Sequence, residues 1–284
     1  MKPVILCAAV TGGGPPRSPH VPVTPQAVVQ SALQAWRAGA AMLHLHARRP
    51  DGSSTMDAGA YRELARALRQ AGCTALLNFS AGDNGGTASH EERLAIAETG
   101  ADLVTIGAGS FNSGPRVYDN APAFAIRAAR GLREARVAAE VEVFDTGHLH
   151  GLRRLLEQGD LRLPVWVNFV FGGRGGMPAD ARLLPVLLDE LPPACEWTVT
   201  VQGASAEQYH AIAHWALAQG GHVRTGLEDQ SWVAPGVPAT DNAQLVRHAA
   251  ELAVAAGRAV ATPEQARALL HLTPHAAAPL PQAA

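Results

Sequence analysis

Two histidines two residues apart, His44 and His46, sit in the otherwise apolar run AMLHLHAR (41–48). In an extended strand, residues two apart point to one face, so the pair shares a face and Leu43 and Leu45 take the other. A pair of hydrogen-bonded core histidines is the plainer reading, but each buried imidazole then needs a partner. Neutral imidazole is also the commonest metal ligand. Far downstream, HVRTGLED (222–229) puts Arg224, Gly226 and Glu228 on one face by the same period of two. Glu228 is therefore available as a third ligand. Two histidines and a carboxylate with an open position form a catalytic arrangement for Zn²⁺, open equally to Fe²⁺ or another divalent ion. Asp229 follows outside the alternation, where it can act as a base. The competing reading of Glu228 and Asp229 is an acidic helix N-cap.

Further polar groups close other strand-like runs: Ser80 in LNFSAG, Thr105 in LVTIGAGS, Glu140 and Glu142 in AAEVEVFD, and Asn168 in WVNFVFGG. Ser80 and Thr105 also suit plain strand-to-loop turns. Arg224, if it points inward, needs an anion, either a carboxylate substrate or Glu140 or Glu142. Arg174 in GGRGGM (172–177) lies in a loop flexible enough to meet an anionic cosubstrate, or in an ordinary loop. His210 and His214 have the i,i+4 spacing of HExxH without its glutamate and read as a helix face. His148 and His150 fall in a loop or a first helical turn.

The elements that must position these groups recur along the chain. Strand-like runs start at Pro3, Ala41, Thr74, Asp102, Val137, Pro164, Glu196 and His222, each short, apolar or β-branched and ended by Gly, Ser or Asp. Between them lie helical patterns of crossover length. TPQAVVQSALQAWRAG, for example, has Thr24 as N-cap, Pro25 at N1 and Gly39 as its stop. SHEERLAIAETG and ADARLLPVLLDEL read in the same way. Eight β/α alternations predict a TIM (β/α)₈ barrel in a single α/β domain, residues 1–273, followed by a loose Pro- and Ala-rich tail, 274–284. A doubly wound open sheet fits less well, because VTGGGPP after the first strand does not match GxGxxG. In the barrel, even strands two and eight fill one layer, at the mouth where such folds carry their active sites.

A formal charge of −2, with 47% hydrophobic and 17% charged residues, gives no case for nucleic acid or a membrane surface as partner. Cys7, Cys73 and Cys195 are scattered and apolar in context, consistent with free thiols in a reducing cytoplasm. PVILCAAV is too short for a membrane span and reads as a first strand rather than a signal peptide.

AAVTGGGPPRSPHVPVTP, HLHARRPDG, ERLAIAETGADLVTIGAGSFN, EVEVFDTGH, GGRGGM, GLEDQ and DNAQLV resemble, in order and spacing, the β-keto acid cleavage enzymes, from about Pro3 to Leu270. The resemblance implies a zinc-dependent TIM barrel, usually a homotetramer, converting a β-keto acid and acetyl-CoA to acetoacetate and a new acyl-CoA. It places the metal ligands on His44, His46 and Glu228 and the general base on Asp229, with Ser80, Thr105 and Arg224 around the keto acid. Glu142, Asn168, Gly14 and Gly107 then fall at the substrate, and Arg174 at the cosubstrate. Two departures bear on the substrate. Gly13 and Gly14 stand where the member acting on an amino-substituted acid has an acidic residue, which argues against a cationic substrate. Gly107 stands where an Asn is frequent, which would enlarge or depolarise the pocket. Gln230, where an Asn usually follows GLED, is a minor change. The rivals are an HxH-type barrel hydrolase, which needs histidines on strands five and six, a Claisen-type lyase, which needs Asp-Arg after strand one, and a non-catalytic barrel. VAAEVEVFD and PVWVNFVFGG contain no histidine.

Overall fold

Eight short strands pair in parallel, each with the next, and the last returns to the first. They are β1 (Leu6–Ala9), β2 (Met42–Leu45), β3 (Leu76–Phe79), β4 (Leu103–Gly107), β5 (Ala138–Val143), β6 (Trp166–Phe171), β7 (Glu196–Val201) and β8 (His222–Thr225). The computed structural model describes residues 1–82 and 85–272; the expected tail at 274–284 lies outside them. The closed barrel is a single α/β domain, as the eightfold alternation requires.

Nine helices among the described residues surround it: α1 (Pro25–Arg37), α2 (Ala58–Gln70), α3 (His90–Ala95), α4 (Pro122–Ala135), α5 (Thr146–Glu157), α6 (Leu184–Glu190), α7 (Ala206–Ala218), α8 (Asn242–Ala255) and α9 (Pro263–Leu269). Local chemistry starts them where the sequence marks. The Thr24 hydroxyl accepts from the Ala27 N–H with Pro25 in the first turn, and Ser205 and Gln208 form a reciprocal capping box at α7. α3 and α6 are shorter than their patterns because part of each is wound as a tighter 3₁₀ turn, Ile96–Glu98 and Ala181–Leu183. Asp241 caps α8, so Glu228 and Asp229 cap no helix.

The strand period divides the core in two. Leu6, Leu43, Leu45, Leu77, Val141, Val167, Val199 and Val223 face outward under the helices. Ile5, Cys7, Met42, Leu76, Leu103 and Trp166 fill the lower barrel, closed from below by Ala266 of α9 and by Leu270 just past its end. Burying each large aliphatic or aromatic side chain contributes about 1.5–3 kcal/mol, so the floor is a rigid apolar plug. Above it the inward residues turn polar. Strand register sets Ala9 beside His44, His44 beside Asn78, Thr105 beside Glu140, and Glu142 beside Asn168.

Two expectations change. Glu228 is not on strand eight, which ends at Thr225. Gly226 adopts φ +140°, and a β-carbon there would lie 2.1 Å from the Ala9 carbonyl oxygen. The chain therefore turns, with the Asp229 and Gln230 N–H groups both donating to the Gly226 carbonyl, and Glu228 N–H reaching Ala9 O at 3.3 Å. His46 likewise lies one residue past β2. Small hairpins also decorate the βα loops, Ala47–Arg48 with Ser54–Thr55, Phe111–Ser113 with Arg116–Tyr118, and Trp232–Ala234 with Val237–Pro238. Strands of two or three residues carry too little period to be read from sequence.

Candidate active site

At the upper end of the barrel, His44, His46 and Glu228 present one ligand atom each, all within 4.8 Å of one another. Nε2 of His44 and of His46 stand 3.6 and 3.5 Å from Glu228 Oε1, and the two rings meet edge-on with centroids 5.2 Å apart. Burial, followed by the Arg224 charge, pushes His44 down to about 4, so its imidazole is neutral and keeps a lone pair for coordination. Burial also pushes Glu228 up, but Arg224 and both histidines outweigh it and hold the carboxyl well below its usual range. The second oxygen, Glu228 Oε2, is buried with no hydrogen-bond partner. Two imidazole nitrogens, an ionised carboxylate and an unpaired buried oxygen fit a divalent cation of borderline hardness.

Arg224 organises the neighbouring acids. It is 1% exposed; its Nε donates to Asp229 Oδ2 at 2.9 Å, and its Nη2 donates to both Glu228 Oε1 (2.7 Å) and Asp229 Oδ1 (3.2 Å). Gln202 adds a longer bond to Asp229 Oδ1 at 3.4 Å. Burial raises Asp229 above its ordinary value, with the Arg224 charge opposing the rise. Thus the Arg224 anion partners are Asp229 and Glu228, with Glu142 Oε1 at 3.6 Å from Nη1.

Deeper in the barrel, Asn78 Nδ2 donates to Glu140, and burial together with Glu142 pushes Glu140 up to about 8. Burial pushes Glu142 up to about 7 against the pull of Arg224. The side-chain oxygen of Asn168 accepts from the Thr200 hydroxyl at 2.7 Å. The Thr105 and Ser80 hydroxyl oxygens accept from the Ala81 and Gly82 N–H groups, at 3.1 and 3.2 Å. Both are buried and keep a hydroxyl proton to donate; Ser80 follows the end of β3, whereas Thr105 lies within β4 and is not the turn residue its run also allowed. The space beside Gly107 is not vacant: a β-carbon there would lie 2.4 Å from Asn120 Cγ. Asn120 reaches in from beyond the second hairpin, with Oδ1 bonded to Arg93 and Nδ2 buried without a partner. An amide therefore occupies this corner from a different position.

Above these groups opens a cavity of about 670 Å³, lined by Gly12, Gly13, Gly14, Arg17, Arg116, Arg174, Gln202 and Glu228 among others. A larger hollow of about 1170 Å³ lies against α3 and α4, away from the histidines. Its Arg127 and Arg130 are paired with Glu91 and Asp160, so the chemistry belongs to the barrel mouth.

Three participants were not evident from spacing. Buried Arg48 donates to the carbonyls of Thr11, Gly12, Gly14 and Gly52, pinning the loop after β1 at the mouth. Asn120 fills the Gly107 corner as described. His222, at the base of β8, accepts from Ile5 N–H through Nδ1 and meets Glu196 through Nε2. In contrast, His148 accepts from Phe144 N–H at the start of α5, and His210 lies on α7 against His248 and the Val233 carbonyl; neither approaches the site.

Comparison with known proteins decides the lineage. Residues 3–272 match the family described as β-keto acid cleavage enzyme. The chain belongs to this family. Among its relatives, the 3-keto-5-aminohexanoate cleavage enzyme of Acetoanaerobium sticklandii is 32% identical over 96% of this chain and 100% of its own. The 3-dehydrocarnitine:acetyl-CoA trimethylamine transferase of Rhizobium meliloti is 34% identical, covering 96% and 97%. The 3-oxoadipate:acetyl-CoA acetyltransferase of Cupriavidus necator is 32% identical, covering 95% of each. Among solved structures, apo ObcA superposes with a TM-score of 0.75 at 19% identity, over 90% of this chain and 66% of ObcA. This chain thus spans about two thirds of that structure, and the likeness shows the barrel fold. Membership in this family makes the chain an enzyme. No helix of the described residues is long and apolar enough to cross a membrane.

Proposed function

We propose that the chain carries out metal-dependent cleavage of a β-keto acid with acetyl-CoA, giving acetoacetate and the CoA thioester of the remaining acyl group. The observation that carries this reading is the convergence of His44, His46 and Glu228 beside Asp229 and Arg224, from positions about 180 residues apart, at the mouth of the barrel. Family membership and the acetyl-CoA-dependent names of relatives support the reaction class.

His44, His46 and Glu228 would hold Zn²⁺ or another divalent ion, which when bound supplies a Lewis acid for the 3-keto oxygen. Asp229 takes a proton from C2, at Oδ1, the oxygen with the longer contacts. The C2 carbanion forms a bond to the acetyl carbonyl carbon, and CoA leaves as the thiolate. The thiolate adds to the original keto carbon, and the C2–C3 bond breaks with its electron pair passing to C2. C2 regains a proton, completing acetoacetate and the new thioester. Arg224 offsets the negative charge during CoA transfer, and Ser80 and Thr105 donate hydrogen bonds to the substrate carboxylate or oxyanions. Glu142, Asn168, Gly107 and Gly14 line the keto acid, and Arg174 on the rim meets the cosubstrate. With glycines at 13 and 14, the substrate is not a 5-amino-3-keto acid. The homotetramer implied by the resemblance and the cytoplasmic setting read from the scattered cysteines belong to the same proposal.

The test is acetoacetate formation from a panel of β-keto acids with acetyl-CoA, alongside metal analysis. His44→Ala is expected to lose both the bound metal and acetoacetate formation. Retention of both would contradict the ligand assignment.

A further inference from the structure

We infer that the keto acid accepted here carries a second anionic group at the end remote from its carboxylate, and that Arg17 is the residue that reads it. This deepens the function proposed above and rests on it.

The charge around the mouth is one-sided. Of the described residues lining the cavity, Glu228 alone is acidic, whereas Arg17, Arg116 and Arg174 each contribute a guanidinium. Glu228 is already engaged by Arg224 and faces both histidines. The loop after β1 adds no charge through Gly12, Gly13 or Gly14, and a β-carbon on Gly14 would meet nothing within 4 Å. A cationic substrate end would thus enter open space near Arg17, with no uncommitted carboxylate among the described residues of the cavity lining to receive it.

Arg17 differs from the other two in where its head lies. It leaves the β1 loop and crosses the mouth until Nη1 stands 2.6 Å from the position a Gly203 β-carbon would take. A side chain at 203 would push the guanidinium from this position. Gly203 N–H in turn donates to the Asp229 carbonyl at 2.9 Å. The guanidinium therefore sits on the wall that carries the base. Its side chain makes no hydrogen bond to any described residue, so its forked donors face the cavity free for a planar acceptor. Arg116 and Arg174 sit farther round the rim, against the Gly86 and Gly114 turns, which suits the phosphates of a long cosubstrate. An anionic oxygen group at Arg17 can belong to the keto acid or to CoA. Proximity to Asp229 assigns it to the keto acid.

A matched pair of probes isolates the point: 3-oxoadipate and 3-oxohexanoate share a six-carbon β-keto skeleton and differ in a terminal carboxylate against a methyl. The unmodified enzyme is expected to favour 3-oxoadipate in kcat/KM, and calorimetric binding without acetyl-CoA is expected to show the same preference. In Arg17→Gln the ratio of the two kcat/KM values should fall about 10- to 100-fold, the loss of one charge-assisted bidentate contact. An intact ratio with a raised KM for acetyl-CoA would move Arg17 to the CoA phosphates and overturn the inference. Equal turnover of both acids by the unmodified enzyme would also overturn it while leaving the reaction standing. Acetoacetate from no acid, with no binding preference, would remove the reaction and the inference together.

Discussion

Arg224→Met removes the cation hydrogen-bonded to a buried cluster of acids. The guanidinium is 1% exposed and makes three hydrogen bonds to carboxylates, two to Asp229 and one to Glu228, whose side chains are 1% and 11% exposed. Methionine fills similar volume without charge, so the change leaves at least one carboxylate desolvated and unpaired. Breaking a buried pair from one side costs about 3–5 kcal/mol, a large share of the roughly 5–15 kcal/mol that stabilises a typical domain. Urea unfolding followed by circular dichroism, with chelator present so that metal loss contributes nothing, measures the loss. The sign of its pH dependence follows from Asp229. Arg224 opposes the rise that burial imposes on that carboxyl, so without Arg224 the folded-state pKa climbs further. A raised carboxyl penalises the folded state above its pKa and is relieved as pH falls and the group protonates. The gap between the two proteins should therefore be wider at pH 8 than at pH 5. Asp229→Asn in the Arg224→Met background should recover part of the loss. A loss under about 1 kcal/mol, flat with pH and untouched by the second change, would refute the pairing as the organising interaction.

Gly226→Ala tests the turn that carries Glu228. The new methyl would collide with the Ala9 carbonyl at a φ of +140°, so a loss of about 3 kcal/mol or more and reduced metal binding are expected; near-native unfolding would contradict it. His222→Asn keeps an acceptor for the Ile5 N–H but removes a histidine that burial holds down at about 4. A lowered histidine leaves the unfolded chain binding more protons between pH 6.5 and 4, so stability falls with pH across that window. The unmodified protein should lose about 3 kcal/mol more than the variant there, read from unfolding midpoints at pH 7 and 4. Parallel slopes would exclude His222 as the source.

Much of the fold was legible because each barrel element announces itself locally. Strand runs ended by Gly, Ser or Asp, and a helix opened by Thr24, need no distant partner to be read. His44 was legible for the same reason, since the period of two on β2 sends it inward. Glu228 was reached by an argument whose geometry differs from the structure. The alternation assumed for strand eight gives way to a turn at Gly226, yet the turn also returns the side chain to the histidines. Arg48 and Asn120 were hidden because their roles are made across the fold. Arg48 spans 37 residues to the Thr11 carbonyl, and Asn120 reaches Gly107 from beyond a hairpin too short to leave a pattern. The openness expected at Gly107 was lost to that neighbour.

The central claim concerns which bonds are exchanged, and carbon labelling tests it most directly. With acetyl-CoA carrying ¹³C at both acetyl carbons and an unlabelled β-keto acid, the account predicts acetoacetate labelled at C3 and C4 and an unlabelled acyl-CoA. Unlabelled acetoacetate, or keto acid consumption without a new thioester, would contradict it.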